Sequence, residues 1–252
     1  MMSAILYLLI SGRRILKLKD KARLFEDQEN LVLPAGYSSR NYGDLYVVRY
    51  EGAGVNNEEE EFASEDSEDN IFDAVIIGGG EYPTTEYPLK VIENTPYVVC
   101  CDGAADAFIA KGNVPDAIGG DGDSISAESR ARFKHLLHII SEQESNDQTK
   151  AVRWAMENIS GIGSIQILGG TGGRADHTIG NVSLIMEYTR MFELGDIVIE
   201  AVSDEGTIFP ITDSMILDCG IGREISIFSP DNTLKIKSEG LAYSTEDVVF
   251  DN

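Results

Sequence analysis

The order of apolar runs predicts an α/β fold followed by a smaller all-β unit, and three observations carry that reading. From residue 71 to about 195, short continuous apolar runs alternate with helical patterns, as expected of strands covered on both faces of a parallel sheet. Glycines close these runs and acidic residues follow them, which puts polar groups at the carboxyl edge of the sheet, where open α/β sheets bind ligands. After Gly195 the helical period stops, and only short apolar runs spaced by Gly, Asp, Ser or Pro remain. The predicted architecture is a parallel, doubly wound α/β domain over 71–195 and a small antiparallel β domain over 196–252, behind an N-terminal extension over 1–70.

The elements follow in order. "AILYLLI" (residues 4–10) is far shorter than the roughly 20 apolar residues a membrane-spanning helix needs. No basic region precedes it as a secretory signal requires, so neither export nor membrane insertion is expected. A basic stretch holds Arg13, Arg14, Lys17, Lys19, Lys21 and Arg23, and "YGDLYVVRYEG" (42–52) reads as a strand. "NNEEEEFASEDSED" (56–69) carries eight acidic side chains and almost nothing apolar, so it cannot offset the entropy of ordering itself and is read as a disordered linker. "DAVIIGGG" (73–80), "YVVCCDGAAD" (97–106), "PDAIGGDGDS" (115–124), the short "LHIIS" and "SIQILGG" (164–170) supply strands. Helical patterns cover 104–111, 127–137, 148–159 and 178–192. Beyond Gly195, "DIVIEAV", "GTIFPI", "SMILDC", "EISIFS", "TLKIKS" and "DVVF" are the β runs.

Composition narrows the function classes. A net charge of −23 argues against a nucleic-acid binder, because affinity for the phosphate backbone comes largely from Lys and Arg. Any phosphate-bearing partner must therefore be held locally, by metal ions or backbone amides. Three cysteines, Cys100, Cys101 and Cys219, form neither a disulfide framework nor a CxxC pattern; buried inert thiols in a reducing cytoplasm are expected.

The chemistry-bearing residues gather at strand ends. Asp102 follows the second strand, Asp121 and Asp123 follow the third, and Asp147 and Lys150 open the helix of "SNDQTK". "GGTGGRADH" (169–177), with Arg174, Asp176 and His177, follows the strand 164–168. Each has an ordinary reading: Asp102, Asp147 and Asp176 as helix caps, Asp-Gly as a turn, His177 as a satisfied histidine. Arg174 on a glycine-rich loop has few structural tasks and matches phosphate oxygens bidentately. Lys150 lies one turn into a helix, against the dipole, so it answers a nearby negative charge. "GGG" (78–80) fits neither GxGxxG nor GxxxxGK[ST]. The conjunction is more informative than its members. Two carboxylates at i and i+2 repel unless a cation lies between them, and Mg²⁺ is held by one or two carboxylates with substrate phosphates. A glycine-rich loop entering a helix offers amides to an anion. Together these residues describe a phosphoryl-transfer site.

"CCDGAADAFIAKGNVPDAIGGDGDSIS", "NDQTKAVRWAM" and "ILGGTGGRADHTIGNVSLI" resemble the thiamine pyrophosphokinase family in content, order and spacing over about residues 72–245. The resemblance implies an α/β domain followed by a β-sandwich, a homodimer, and Mg²⁺-dependent transfer of pyrophosphate from ATP to thiamine, giving thiamine diphosphate and AMP. It implies that Asp102, Asp121, Asp123 and Asp147 hold Mg²⁺ and orient the phosphates, and that Lys150 and Arg174 are cations on the transferring group. Asp176 and His177 match the "DH" pair lining the site and Asn181 the final asparagine. Gly79, Gly103, Thr149, Gly172 and Gly173 complete the expected nucleotide-binding set. The sequence departs from the family in three respects. The usual "DGG" is "DGA" at 102–104. The family continues past the "GLxY" matched by "GLAYS" (240–244) with a Ser-Asn motif and often a tryptophan that contact thiamine, so the β domain is expected to be cut short. The family has no standard counterpart of residues 1–70. Two alternatives stay open: a pyrophosphokinase acting on another alcohol such as a hydroxymethylpterin, and an inactive nucleotide-binding protein.

Overall fold

The computed structural model describes residues 72–195, 197–212, 223–229, 231–246 and 248–250, together with the backbone of five strands elsewhere. The acidic run 56–69 and Cys219 lie outside the described residues. The N-terminal strands are β1 (Leu6–Ile10), β2 (Leu16–Lys17), β3 (Tyr37–Tyr42) and β4 (Leu45–Tyr50). The expected strand at 42–52 is β4, which forms an antiparallel hairpin with β3.

The α/β segment runs β5 (Ala74–Ile77), α1 (Glu86–Glu93), β6 (Tyr97–Cys101), α2 (Ala104–Ala110), β7 (Ala117–Gly120), α3 (Ala127–Arg132), β8 (Leu137–Ile139), α4 (Asp147–Asn158), β9 (Ser164–Leu168) and α5 (Ala175–Met191). β10 (Val198–Val202), β11 (Thr207–Ile211), β12 (Leu217–Asp218) and β13 (Ile225–Phe228) follow. All four residues of β5 are buried, as are the last four of β6 and of β9. Such runs form strands because each side chain meets a helix layer, and each fully buried Val or Ile contributes about 1.5–3 kcal/mol.

One sheet of nine strands runs in the order β13-β1-β11-β10-β9-β5-β6-β7-β8. From β10 to β8 every pairing is parallel. The chain winds outward from β5 through β6 and β7 to β8, then returns to place β9 and β10 on the other side. The direction of winding therefore reverses between β5 and β9, and a ligand crevice forms at such a point on the carboxyl side.

Several expectations need correction. The parallel sheet does not end at Gly195: β10 pairs with β9 over Val198–Val202, and only from β11 onward is the pairing antiparallel. Among the described residues no helix follows "DIVIEAV", so its run of apolar residues reads equally well in either kind of sheet. "TLKIKS" and "DVVF" form no strand among the described residues. The helix expected at 127–137 stops at Arg132, capped by the buried Phe133, and gives way to a 3-10 turn and β8. α1 went unforeseen because Pro83 and Pro88 flank and enter it. Pro88 is its third residue, where the missing N–H has no partner in a helix anyway. Among the described residues no helix is long and apolar enough to cross a membrane.

Candidate active site

Asp102 closes β6 with a positive φ of 25°, rare for a residue with a side chain. Strain of this kind costs on the order of 1–3 kcal/mol and persists only where the surroundings hold it. Here the Asp102 amide donates to the Gly119 carbonyl at 2.9 Å, tying β6 to β7. Its carboxylate accepts from the amides of Ser124 at 2.8 Å and Ile125 at 3.3 Å, which leaves it only 2% exposed. Asp102 therefore shapes the 121–125 loop and does not cap α2, whose N-cap is Gly103.

Within that loop, Asp121 Oδ1 accepts from the Asp123 amide at 3.1 Å and Oδ2 from Gln143 Nε2 at 3.3 Å. The Asp123 amide first, and the Gln143 side chain next, hold the Asp121 carboxyl below its ordinary range. Asp123 Oδ1 accepts from the Ser124 hydroxyl at 2.6 Å. Asp102, Asp121 and Asp123 each offer an oxygen, and the three oxygens lie within 4.8 Å of one another. Such a set of hard carboxylate oxygens suits a divalent cation of the Mg²⁺ type.

Asp147 falls outside this trio but lies beside it. A Cβ on Gly120 would come within 2.8 Å of the Asp102 Cβ and 3.1 Å of Asp147 Oδ1, so only glycine allows the two side chains to approach across β7. Asn146, not Asp147, caps α4: its side-chain oxygen accepts from the Thr149 amide at 3.0 Å and the Thr149 hydroxyl at 2.9 Å. Asp147 is the first helical residue, and its Oδ1 pairs with Lys150 Nζ at 3.4 Å. Lys150 is 2% exposed. Burial pushes the Asp147 carboxyl up; Lys150 opposes that, and the charges of Asp121 and Asp102 add to it. One buried ammonium thus faces several carboxylates, and the excess charge is what a metal or a cationic group would relieve.

The winding reversal brings two glycine-rich loops together. The amides of Gly78, Gly80 and Glu81 donate to the carbonyls of Leu168, Gly169 and Thr171 at 2.7, 2.7 and 2.9 Å, which extends the β5–β9 pairing beyond the strand ends. A Cβ on Gly78 would meet the Gly169 carbonyl oxygen at 2.6 Å. Gly79 is exposed, with open space beside it. Gly172 and Gly173 turn the chain with φ of 78° and 65° into α5. α5 starts three residues earlier than the sequence suggests, so Asp176 and His177 stand in its first turn, both exposed. Arg174 is also exposed and grips Asp176 through both carboxylate oxygens, Nε to Oδ1 at 3.1 Å and Nη2 to Oδ2 at 2.5 Å. This bond to Arg174 holds the Asp176 carboxyl down at about 2.

Asn181 points into the scaffold. Its Nδ2 donates to the Gly170 carbonyl and its Oδ1 accepts from Asn146, each at 2.9 Å. Gln148, Tyr188 and Asp204 also support these loops and were not singled out from the sequence. Asp204 accepts from the amides and hydroxyls of Thr84 and Thr85, about 120 residues away, a pairing with no local signal. Cys100 and Cys101 are buried and free, and burial raises both thiols well above their ordinary range.

Residues 89–194 match the family described as thiamin pyrophosphokinase, catalytic domain. The chain is 41% identical over 115 residues to thiamine pyrophosphokinase of Bacillus subtilis (strain 168), covering 44% of this chain and 52% of that protein. It is 31% identical over 119 residues to thiamine pyrophosphokinase 1 of Oryza sativa subsp. japonica, covering 44% of this chain and 43% of that one. Among solved structures, thiamin pyrophosphokinase from Geobacillus thermodenitrificans aligns with a TM-score of 0.41 at 30% identity, over 51% of this chain and 58% of that chain. The chain spans about half the length of the curated relatives it matches.

Proposed function

We propose that this chain, whose residues 89–194 match the thiamin pyrophosphokinase catalytic domain, transfers the pyrophosphoryl group of ATP to the hydroxyl of thiamine, giving thiamine diphosphate and AMP. The observation that carries the reading is the convergence of Asp102, Asp121 and Asp123 at the carboxyl edge of the sheet, next to the winding reversal. These three would hold Mg²⁺, with Asp147 beside them; when bound, the ion neutralises phosphate oxygens and orients them for in-line displacement.

The remaining work falls to the chain's own groups. The amides of the 169–173 loop and the start of α5 favour an anion. Arg174, released from Asp176, fits phosphate oxygens through the same bidentate face. Lys150 sets positive charge beneath Asp147 and steadies its carboxylate. The thiamine hydroxyl oxygen attacks the β-phosphorus, the bond from that phosphorus to the bridging oxygen breaks, and AMP departs with the electron pair. Asp123 is suited to take the hydroxyl proton: it is exposed and its carboxylate accepts from the Ser124 hydroxyl, whereas the Asp102 oxygens accept from backbone amides. Positioning and charge neutralisation supply most of the rate in chemistry of this kind. The acceptor side is assigned to the C-terminal β segment. A homodimer in a reducing cytoplasm completes the reading, with the two buried free thiols in keeping with that compartment.

AMP release from ATP, followed with and without thiamine, tests the proposal. Thiamine-dependent AMP that falls at least about 100-fold in Asp123→Asn is the expected outcome. AMP formed with a hydroxymethylpterin and not with thiamine would overturn the acceptor, and ATP binding with no AMP from either alcohol would overturn the activity.

A further inference from the structure

Beneath the site runs a chain of hydrogen bonds with a single sense of donation. Gln148 Nε2 donates to the Tyr188 hydroxyl at 3.2 Å, and Tyr188 lies 3.0 Å from the Thr149 hydroxyl. Thr149 Oγ1 already donates to Asn146 Oδ1, so the proton between Tyr188 and Thr149 comes from tyrosine. Asn146 Nδ2 then donates to Asn181 Oδ1, and Asn181 Nδ2 to the Gly170 carbonyl. Gln148 Nε2 also reaches the Asn181 carbonyl at 3.4 Å, closing the network between α4 and α5. One end holds the turn that presents Asp147 and Lys150, and the other holds the glycine loop that leads to Arg174.

We propose that Tyr188, through its hydroxyl, is a positioning residue that locks the first turn of α4 to the 169–174 loop and so fixes Asp147 and Lys150 relative to the anion-binding loop; this rests on the pyrophosphoryl-transfer reading. Tyr188 is 0% exposed and lies at the opposite end of α5 from Arg174, so it touches no substrate itself. Its hydroxyl is the member that joins Gln148 to Thr149, adjacent residues whose side chains otherwise turn to different partners. Burial pushes the phenol up to about 12, so it remains a donor throughout the working range. Gln148 Oε1 has no partner, and loss of the tyrosine hydroxyl would leave the Gln148 side chain with only its long bond to Asn181.

Tyr188→Phe keeps the ring and its contact with Phe192 at 5.4 Å between centroids while removing the hydroxyl. Ile185→Val, a buried change on the same helix, serves as the stability-matched control. In Tyr188→Phe we expect kcat to fall about tenfold or more with KM for thiamine unchanged, and amide hydrogen exchange to quicken at both 146–150 and 169–174. Ile185→Val should leave kcat and those two segments as they are. Equal behaviour of the two variants, or faster exchange spread evenly along α5, would overturn the proposal. If the wild type turns over no thiamine, the functional reading fails, while the exchange comparison still decides the role of Tyr188.

Discussion

Gly120 and Gly180 show how the same substitution takes opposite signs. Gly120 has a φ of 158°, in the range that residues with side chains rarely adopt, and space adds a second constraint: an added methyl meets the Asp102 Cβ at 2.8 Å and an Asp147 oxygen at 3.1 Å. Gly180, inside α5, has nothing within 4 Å of an added Cβ. Thermal melts should show Gly120→Ala destabilised by about 1–3 kcal/mol, because overpacking forces two charged side chains and a strand apart. Gly180→Ala should be stabilised by about 0.5–1 kcal/mol, since alanine loses less entropy in a helix. A tolerated Gly120→Ala would mean that Asp102 and Asp147 have room to separate, and the close carboxylate arrangement would lose its support. In the sequence Gly120 is one of a pair that reads only as a flexible turn. The crowding at Gly120 comes from two other elements and leaves no trace nearby.

At the scale of elements, the local pattern was informative wherever an element answers only to its own period. α2 and α4 begin and end within a residue or so of the sequence reading, and β5, β6, β7 and β9 coincide with the apolar runs. The reading failed where a distant partner decides. β10 belongs to the parallel sheet because β9 is beside it, and α1 exists despite its prolines because Asp204 satisfies the amides and hydroxyls of Thr84 and Thr85 ahead of it. This link joins the β10–β11 turn to α1, and it titrates. Bonds from Thr84 first, and from Thr85, hold the Asp204 carboxyl down at about 2, against about 3.9 for an unfolded aspartate. A depressed carboxyl stabilises the fold above the unfolded value and loses that contribution as pH falls through the folded one. The difference in melting temperature between wild type and Asp204→Asn should therefore be largest near neutral pH and shrink between about pH 4 and pH 2. A difference that stays constant across that window would show that the carboxylate charge contributes nothing to the link.

For the whole molecule, charge is the dominant fact: 43 acidic against 20 basic residues, a net charge of −23. Any salt relieves such repulsion, since screening extends over only about 10 Å at 0.1 M ionic strength. Mg²⁺ at a site adds something different, because a ligand that binds only the folded state stabilises it by about 2.7 kcal/mol at 100 times its dissociation constant. Comparing MgCl₂ with NaCl at matched ionic strength separates the two effects. We expect Mg²⁺ to raise the melting temperature by several degrees beyond Na⁺, and Asp121→Asn combined with Asp123→Asn to abolish that excess while keeping the shift common to both salts. The double variant also carries two fewer charges, so its melting temperature in low salt should not fall, which separates loss of a metal site from damage to the fold. Equal shifts in the two salts for the wild type would reduce the Asp102, Asp121 and Asp123 cluster to three carboxylates held by their own loop amides, and the Mg²⁺ assignment would fall with it.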